Sequence, residues 1–512
     1  MIEKLSGVKL PVGADEAKLL ALAQKKLRAP VKYFKILKKS LDARDKSKLH
    51  WLYTVEFSAQ TQKEVNPLLP KGEVAEKNKR LLIVGAGPAG LFCAVKCIQW
   101  GVFPILIERG APVEERERDI SSFFATGKLN TQSNVQFGEG GAGTFSDGKL
   151  NTQTNNVENK EVLSLFVAFG APEEILYLNK PHIGSDNLKK VVKNMREYIL
   201  KNGGKILFHT ALKDIEIKQN KVVAAYLSNG NKIEVDDIVL AVGHSARDTF
   251  EMLQIKGACL QQKEFAVGVR IEHLQDKIGF SQYGKDYKLL PPADYKLVSH
   301  AFERAAFTFC MCPGGFVMPA ASEEGMLTTN GMSNYKREGV NANSALIVQV
   351  KKEDFQSENA LAGVAFQRKL ERAAYLAGGG NFVAPAQRAE DFLQDRPSLQ
   401  AGEVLPTYAR GVNYTDLNGL FSAPVSQALK GALTDMDRRL KGFAHPDALL
   451  TGVEARTSSP VRILRGEDGQ SVTLGNLYPC GEGAGYAGGI TSAAADGLRT
   501  AMKIVRKYGG KV

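Results

Sequence analysis

The sequence predicts an α/β fold whose main domain is assembled from two separated stretches of the chain. An apolar strand, a glycine-rich turn and a helix follow one another at residues 80–100, and the same order returns at 477–508. Apolar strands that alternate with helices are typical of a buried parallel sheet. We therefore expect one domain made of residues 76–270 and 450–512. A mixed α+β substrate domain is expected at 271–449, and a small α+β unit at 1–75.

The composition is that of an ordinary globular protein. The chain has 512 residues, of which 44% are hydrophobic and 24% charged. These fractions exclude a disordered acidic chain and a coiled-coil rod. The chain holds 50 glycines, whereas average usage of about 7% predicts roughly 36. Nucleotide-binding loops, in which backbone approaches a ligand closely, are one source of such an excess.

Cysteine usage and hydropathy indicate a protein of the cytoplasm. The six cysteines, at positions 93, 97, 259, 310, 312 and 480, do not form the spaced framework of a secreted domain. The sequence shows no charged segment followed by an apolar stretch at its start, and no apolar run of about 18 residues. We expect neither export nor a membrane span.

Residues 1–75 read as a basic unit with its own small sheet. The first 50 residues hold 13 Lys and Arg against 5 Asp and Glu, within a net charge of +12 for the chain. A helix is predicted at 15–27, strands at 33–37 and 49–57, and a linker at 66–79. One strand face carries Trp51, Tyr53, Val55 and Phe57. That face either packs a core or stacks bases, so nucleic acid is a possible partner.

The segment Gly85-Ala86-Gly87-Pro88-Ala89-Gly90 matches the pattern GxGxxG. The pattern alone is a weak signal, and residues 138–143 and 483–488 match it as well. The first match also has the required context, because it lies between a strand and a helix and is followed by Glu108 at the end of the next strand. Glycines here permit a tight turn and close approach to a pyrophosphate at the helix N-terminus. The predicted dinucleotide-binding residues of this unit are Gly85, Gly87, Pro88, Ala89, Gly90, Glu108 and Arg109.

Three separated motifs together resemble the glutathione-reductase-like FAD/NAD(P)-binding superfamily. They are GAGPAG (85–90), VLAVG (239–243) and LYPCGEGAG (477–485). Five further segments resemble an uncharacterised family of bacterial FAD-dependent dehydrogenases, of the NAD(FAD)-utilising type. These segments are FGEGGAGTFSDGKL (137–150), VGHSARDTF (242–250), FCMCPGG (309–315), NGMS (330–333) and RTSSPVRI (456–463).

The resemblance implies a discontinuous Rossmann-like domain with one non-covalent FAD. It places Glu482 near the ribityl chain and the helix after Gly489 near the pyrimidine end of the flavin, where a helix N-terminus stabilises negative charge. Residues 138–143 or 481–489 could instead be ordinary turns. The resemblance adds eight residues to the expected cofactor site: Gly140, Gly141, Gly143, Gly243, Gly481, Glu482, Gly489 and Ile490.

Four polar residues are candidates for catalysis. His244 and Arg247 follow the strand that ends at Gly243, while Arg456 and Arg462 precede the last strand. Arginines grouped in this way form an anion pocket, although the alternative is a structural network of salt bridges and turns. His244 is a candidate for proton transfer.

Cys310 and Cys312 share one face of a predicted strand, and they have either a redox role or a structural role near the substrate pocket. A disulfide across one residue would be strained and hence oxidising. No second Cys or His pair stands at ligand spacing, so no metal is expected.

The expected function is an FAD-dependent oxidoreductase that transfers hydride to or from an unidentified, anionic small molecule. No second dinucleotide fingerprint has its context, so NAD(P)H is expected only as a transient reductant. Two other classes stay open. One is an FAD-containing RNA-modifying or RNA-binding protein, and the other is a flavoprotein scaffold without turnover.

Overall fold

The computed structural model describes residues 2–63, 66–152 and 156–511. In the first half of this described chain the strands are β1 (Glu3–Pro11), β2 (Tyr33–Asp42), β3 (His50–Ser58), β4 (Leu81–Val84), β5 (Ile105–Ile107), β6 (Lys205–Leu207), β7 (Leu212–Lys218), β8 (Lys221–Leu227), β9 (Lys232–Glu234), β10 (Asp237–Leu240) and β11 (Leu260–Gln262). In the second half they are β12 (Phe265–Leu274), β13 (Val298–Ser299), β14 (Ala306–Cys312), β15 (Phe316–Pro319), β16 (Thr329–Met332), β17 (Asn341–Val350), β18 (Ala384–Arg388), β19 (Val412–Tyr414), β20 (Leu449–Glu454), β21 (Val461–Ile463) and β22 (Leu477–Pro479).

The helices lie between these strands and on both faces of the larger sheets. They are α1 (Ala17–Leu27), α2 (Pro88–Gln99), α3 (Val113–Thr126), α4 (Val157–Ala168), α5 (Ser185–Lys201), α6 (Arg247–Ile255), α7 (Gln275–Tyr283), α8 (Ala362–Ala377), α9 (Ala389–Leu393), α10 (Ala423–Arg439) and α11 (Ile490–Lys507).

A five-stranded parallel sheet in the order β22-β10-β4-β5-β6 forms the centre of one unit. Strands β4, β10 and β22 are buried throughout, as both faces are covered. Helices α2, α4, α5 and α11 supply the core on one face, while α6 and the β7-β8-β9 sheet cover the other. Because every strand is parallel, their carboxyl ends meet at one edge, where a ligand binds in such sheets. The α/β prediction, with β22 joining the first strands, is confirmed.

A second unit is built on a seven-stranded sheet in the order β13-β14-β17-β12-β20-β18-β19. Alternate residues of β12 face opposite ways, so Val267, Val269 and Ile271 enter the core with α8 and α10. The other face carries Arg270, which is fully buried. Strand β12 crosses the boundary that the sequence placed between residues 270 and 271. The sheet therefore includes residues 265–270, which were expected to belong to the domain formed by residues 76–270 and 450–512.

The N-terminal strands form a separate sheet in the order β1-β3-β2, packed against α1. Tyr53, Val55 and Phe57 are almost completely buried in the core between sheet and helix. Trp51 is half-buried, with the Lys39 Nζ 4.8 Å from its ring centroid. The aromatic face is therefore a core, which is one of the two alternatives above. Nucleic acid would have to bind through the lysines of this unit and not by stacking on these rings.

Contacts from the edge strand β2 join this small sheet to the rest of the chain. The Lys39 amide donates to the Tyr177 carbonyl at 2.8 Å, and the Asn179 amide donates to the Lys39 carbonyl at 2.9 Å. Both outer strands carry a bulge, between Ser6 and Val8 in β1 and between Ile36 and Lys38 in β2.

The predicted linker at 66–79 is packed against the parallel-sheet unit. Val74 is 3% exposed and belongs to the same core as Trp100. The Glu76 amide donates to the Tyr508 carbonyl at 3.0 Å, next to the end of α11. The segment does connect the N-terminal unit to the next one, as expected of a linker, and its apolar side chain and backbone also take part in packing. Residues 64 and 65, just before it, lie outside the described chain.

A buried ion-pair network connects the two large units. The Glu371 carboxylate, on α8, accepts hydrogen bonds from Arg247 Nη2 and Arg456 Nε, each at 2.7 Å. Arg247 begins α6 of the first unit, and Arg456 follows β20 of the second. Burial alone would raise the pKa of Glu371, but the two guanidinium groups lower it to about 2. The carboxylate therefore stays charged at neutral pH and holds the units together.

No helix in the described part of the chain is long and apolar enough to cross a membrane.

We expect Glu371→Gln to lower the free energy of unfolding by about 3–5 kcal/mol, because it leaves the buried Arg456 without its counter-charge and Arg247 with Glu323 alone. Glu358→Gln, at an exposed position, is the control and should change stability little. Thermal and urea denaturation at pH 7 measure the difference.

The same ion pairs predict that the free energy of unfolding depends on pH. The pKa of Glu371 is lower in the folded chain than its usual 4.5, so the carboxylate contributes stability above about pH 4.5. This contribution is lost as the pH falls towards 2. The stability of Glu371→Gln should therefore fall less steeply on acidification than that of the unchanged chain. Equal slopes would show that the network is not a source of stability.

Candidate active site

A cavity of about 1000 Å³ opens at the carboxyl edge of the parallel sheet. Small-ligand pockets span about 300–1,000 Å³, so this one has room for a dinucleotide. One wall comes from the ends of β4, β5, β10 and β22. The opposite wall comes from the seven-stranded sheet, including Phe307, Phe309, Cys310 and Glu454. The cavity therefore lies between the two large units.

The turn after β4 has no room for side chains. Gly85 has φ +104°, and a Cβ there would lie 2.4 Å from the Ala241 carbonyl oxygen. A Cβ at Gly90 would lie 1.9 Å from the Gly85 carbonyl oxygen. Gly87 meets the second glycine-rich segment, because a Cβ on Gly141 would come within 3.1 Å of the Gly87 Cα. The two glycine-rich backbones thus approach each other at the cavity wall.

Two helix N-termini open into this cavity. Gly87 precedes α2 and Gly489 precedes α11, and neither N-terminus has a side-chain cap. The backbone N–H groups of a first helical turn have no partner within the helix, and together with the helix dipole they attract anions. A Cβ on Gly497 would lie 2.1 Å from the Ala89 carbonyl oxygen. Glycine at that position lets the two helices cross closely, with both first turns at one cavity.

The cavity also leaves open space at three of its glycines. A Cβ on Gly243, Gly488 or Gly489 would meet no atom within 4 Å, although all three line the cavity. Uncapped helix ends and bare glycine backbone are what an extended, doubly negative pyrophosphate requires. The residues present therefore fit a dinucleotide such as FAD.

Glu108 is held in place by backbone donors. Its carboxylate accepts hydrogen bonds from the amides of Ala86 at 2.8 Å, Gly110 at 3.0 Å and Gly138 at 2.9 Å. A carboxylate has about four acceptor positions, so roughly one is left for a ribose hydroxyl. Arg109 beside it is paired with Asp248 at 2.9 Å and lies over the Phe137 ring.

Arg116, on α3, is the residue of this site that sequence reasoning missed. It is completely buried, and its guanidinium donates to the carbonyls of Asn134, Val135, Gly138, Glu139 and Gly141 at 2.7–3.3 Å. Burial lowers the pKa of Arg116 to about 10, which leaves it charged at neutral pH. One side chain thus fixes the loop that faces Gly87 and supplies the Gly138 amide to Glu108. No motif marks it, because its partners are backbone carbonyls.

The structure brings most of the expected cofactor residues to the cavity wall. Three do not border it, and all three have packing roles: a Cβ on Gly140 would meet Thr144 Oγ1 at 2.0 Å, one on Gly481 would meet Ala89 Cβ at 2.7 Å, and one on Gly90 would meet the Gly85 carbonyl, as described above. Those that line the cavity are Gly85, Gly87, Pro88, Ala89, Glu108, Arg109, Gly141, Gly143, Gly243, Glu482, Gly489 and Ile490.

The expected arginine pocket is not formed. Arg247 is fully buried away from the cavity and is paired with Glu371 and Glu323. Arg456 borders the cavity, but its guanidinium is also bound to Glu371. Arg462 is exposed, with its guanidinium 5.3 Å from the Tyr486 ring. The salt-bridge alternative therefore describes Arg247 and Arg456, because both guanidinium groups are paired with Glu371 or Glu323 and are not free to bind an anionic ligand.

His244 and Glu482 face each other inside the cavity wall. The Nδ1 of His244 lies 3.5 Å from Glu482 Oε1, and its Nε2 has no hydrogen-bond partner among the described residues. Burial, with Arg456 and Arg247 nearby, lowers the pKa of His244 to about 3. Burial raises the pKa of Glu482 to about 7. His244 is therefore neutral at pH 7 and, of the two directions of proton transfer considered for it, cannot act as the acid, whereas the pKa of Glu482 lies near neutral pH.

Comparison with known proteins agrees with FAD as a ligand that fits this cavity. Residues 264–457 match the family described as "FAD-dependent protein, C-terminal domain-like". Residues 1–58 match a separate domain of unknown function. Most of the second unit is thus similar to the C-terminal domain of FAD-dependent proteins, and the N-terminal unit is similar to a separate domain.

A curated relative extends the similarity to nearly the whole chain. It is a protein of Clostridium beijerinckii named "Uncharacterized protein", 42% identical over 492 residues, with 92% of each chain covered. The chain belongs to the same family as this protein.

Solved structures are similar at a much lower level. One is a geranylgeranyl bacteriochlorophyll reductase-like protein of Thermoplasma acidophilum, 12% identical, with 84% and 82% of the two chains covered and a TM-score of 0.37. Another is the glycine oxidase of Bacillus cereus, 10% identical, with 84% and 95% covered and a TM-score of 0.33. Scores at this level are too low to transfer an activity.

We expect Arg116→Met to weaken FAD binding by at least about tenfold, since removing donors to buried carbonyls costs about 1.5–3 kcal/mol for each charged hydrogen bond. Arg118→Met, an exposed change on the same helix, should bind FAD normally. Fluorescence titration of the cofactor-free protein measures both affinities. Unchanged affinity in Arg116→Met would show that the loop at 134–141 keeps its position without the guanidinium.

Proposed function

We propose that the protein is an FAD-dependent oxidoreductase that uses a non-covalent FAD to exchange hydride with an anionic small molecule. The observation that carries the proposal is that one continuous cavity is bordered by both units. Its first wall has the glycine turns and helix ends suited to a dinucleotide. Its second wall adds polar side chains, among them Glu454 of the seven-stranded sheet and Asn330 of the two-stranded β15-β16 sheet. A substrate could therefore lie directly against the cofactor.

FAD would be held by the two helix N-termini, the glycine segments and Glu108, and it would supply the two-electron chemistry when bound. The chain's own groups bind, orient and exchange protons. The N-terminus of α11 would stabilise negative charge on the reduced flavin.

Lysines, and not the expected arginines, support an anionic substrate. Lys149, Lys263 and Lys296 line the cavity. Lys263 is partly buried, and burial with the nearby Arg462 lowers its pKa, whereas Glu482 raises it. Its ammonium donates to Ser458 Oγ at 2.6 Å. A cation in this position would attract a carboxylate or phosphate into the cavity.

Glu482 is the group best placed to exchange a proton during turnover. Its pKa of about 7 means that both protonation states are available at neutral pH, as a general acid or base requires. The neutral His244 beside it can orient the carboxyl through Nδ1 and can offer Nε2 to a ligand.

The proposal is tested by anaerobic reduction of the FAD-loaded protein with NADH, NADPH and a panel of organic acids and thiols, followed by reoxidation with quinones, disulfides and dioxygen. We expect a nicotinamide to act as a transient reductant, so that the flavin absorbance near 450 nm is lost within seconds to minutes. A flavin that no donor reduces faster than free FAD would support the scaffold alternative and overturn the enzymatic proposal.

We expect the rate of flavin reduction to depend on an ionisation near pH 7 that disappears in Glu482→Gln. The buried carboxyl is charged only above that pH, and the amide does not titrate. Glu467→Gln, an exposed change, should keep the profile. Stopped-flow absorbance from pH 5.5 to 8.5 measures it. An unaltered profile in Glu482→Gln, with FAD still bound, would assign the ionisation to another group.

A further inference from the structure

The bulge in β1 brings two lysines to the same face of the N-terminal sheet. Lys4 and Lys9 are five residues apart, and side chains alternate along a strand, so a regular strand would point them to opposite faces. The extra residue of the bulge reverses the alternation beyond it. Lys4 therefore lies opposite Glu56 and Lys9 opposite Leu52. Both partners are on the face of β3 that is turned away from the core with α1.

The bulge in β2 has the same effect on the other outer strand. Lys35 and Lys38 are three residues apart, yet Lys35 lies opposite Glu56 and Lys38 opposite Thr54. Both lysines therefore point to the same face as the two lysines of β1. Regular strands would divide these four lysines between the two faces of the sheet.

This surface, the open face, has a row of lysines on each side and hydroxyl groups among them. Strand β3 lies between β1 and β2, so the two rows are two strand spacings apart, roughly 9–10 Å. All four lysines are exposed, whereas the residues of β3 between them are half-buried. The open face consists of Lys4, Ser6, Lys9, Lys35, Lys38, Ser40, Leu52, Thr54 and Glu56.

The described residues do not neutralise the charge of the open face. Glu56 is the one carboxylate of this face, against four lysines. On the opposite face Lys39 is paired with Glu16 at 2.6 Å, but the four lysines of the open face have no ion-pair partner among the described residues. Exposed and unpaired cations that share one surface attract a polyanion.

We propose that the open face binds double-stranded RNA through the phosphates and 2′-hydroxyl groups that border the minor groove of the RNA. The proposal concerns the N-terminal unit, so it does not depend on the oxidoreductase proposal.

The shape of the open face fits an A-form minor groove. That groove is wide and shallow, displays 2′-hydroxyl groups and is bordered by phosphates of both strands. On the protein, two rows of lysines border a central strand whose Thr54 hydroxyl, with Ser6 and Ser40 beside it, can bind 2′-hydroxyl groups. Base pairs of B-form DNA are distinguished in the major groove, which admits a helix or a narrow ribbon. The open face is a flat sheet surface and has neither of these.

Three other occupants fit the open face less well. A second copy of the chain would bring one positively charged face against another. Membrane binding requires apolar side chains that insert, and Leu52, the apolar residue of this face, is half-buried. Single-stranded RNA is bound by stacking of bases on aromatic rings, but Tyr53 and Phe57 are enclosed in the core. Tyr33, at the end of the face, is half-buried, and its hydroxyl donates to Glu56 at 2.6 Å.

The first test measures RNA binding by the full FAD-loaded chain. Fluorescence anisotropy gives the affinity for a labelled RNA duplex of about 20 base pairs in about 50 mM salt. We expect at least about tenfold weaker binding when Lys4→Gln, Lys9→Gln, Lys35→Gln and Lys38→Gln are combined. Arginine at the same four positions should keep the affinity of the unchanged chain, because it keeps the charge. Since all four side chains are exposed, both variants should retain FAD and the melting temperature.

The matched control removes the same charge elsewhere on the surface. It combines changes at four exposed lysines outside the N-terminal unit: Lys190→Gln, Lys201→Gln, Lys213→Gln and Lys352→Gln. This control should bind RNA nearly as tightly as the unchanged chain. Equal weakening in the two glutamine variants would show that the overall charge of the protein, and not the open face, binds the RNA, and would overturn the proposal.

The salt dependence of the affinity counts the phosphate contacts. If each of the four lysines displaces one counterion, the logarithm of the association constant falls against the logarithm of salt concentration with a slope of roughly −3 to −4. Combining Lys4→Gln with Lys35→Gln, one from each row, should reduce the slope to about −2. An unchanged slope in this variant would show that these two lysines do not contact phosphates.

The last comparison identifies the partner. We expect the RNA duplex to bind at least about tenfold more tightly than single-stranded RNA or a DNA duplex of the same sequence, which lacks 2′-hydroxyl groups. Equal affinity for the DNA duplex would overturn RNA as the partner. So would binding to phosphatidylserine-containing vesicles, or self-association in sedimentation, that replaces RNA binding and is lost in the four-glutamine variant. Flavin reduction should be unchanged in that variant, so the outcome is separate from that of the oxidoreductase proposal.

Discussion

The buried guanidinium of Arg116 is the constraint on which the cofactor side of this structure depends. A charge enclosed in protein must be compensated locally, and here five backbone carbonyls of one loop provide the compensation. That loop cannot shift without removing partners from a buried cation. Its Gly138 amide in turn binds Glu108, and its Gly141 backbone lies against Gly87. One interaction thus sets the relative position of three segments that are far apart in the sequence.

Glu371 has the corresponding role between the units. Its carboxylate is shared by Arg247 of the first unit and Arg456 of the second, so one charge ties together the two units that border the cavity. The two buried groups differ in the sign of their charge and in the groups that compensate it. Arg116 is compensated by many weak dipoles within one unit, whereas Glu371 is paired with two full charges, one of which comes from across the interface. This arrangement explains why the arginines near the cavity are bound to carboxylates, whereas lysines of the cavity wall are the cations that could bind a ligand.

Local patterns in the sequence predicted the parts of the site that depend on backbone geometry. The glycines at 85, 87 and 90 and the carboxylate at 108 follow from the steric and electrostatic needs of a βαβ turn, and the parallel sheet then brings Gly243 and Glu482 to the same edge. Side-chain partners were not predictable in this way. Arg247 and Arg456 resemble anion ligands in the sequence, and only the fold places Glu371 between them. Arg116 and Arg270 have no distinctive spacing, since their partners depend on loop conformation and on the packing of remote strands.

The bulges of the N-terminal sheet have a consequence for how this protein behaves at high concentration. Strands β1 and β2 both have an outer edge whose backbone groups could pair with a second copy of the chain. A bulge interrupts each edge, lysines project from β2, and the backbone of Tyr177 and Asn179 occupies the position next to Lys39. Interrupted, charged and partly covered edges do not template intermolecular strand pairing. The basic charge of this unit therefore also protects a small sheet from aggregation, independently of any partner that it binds.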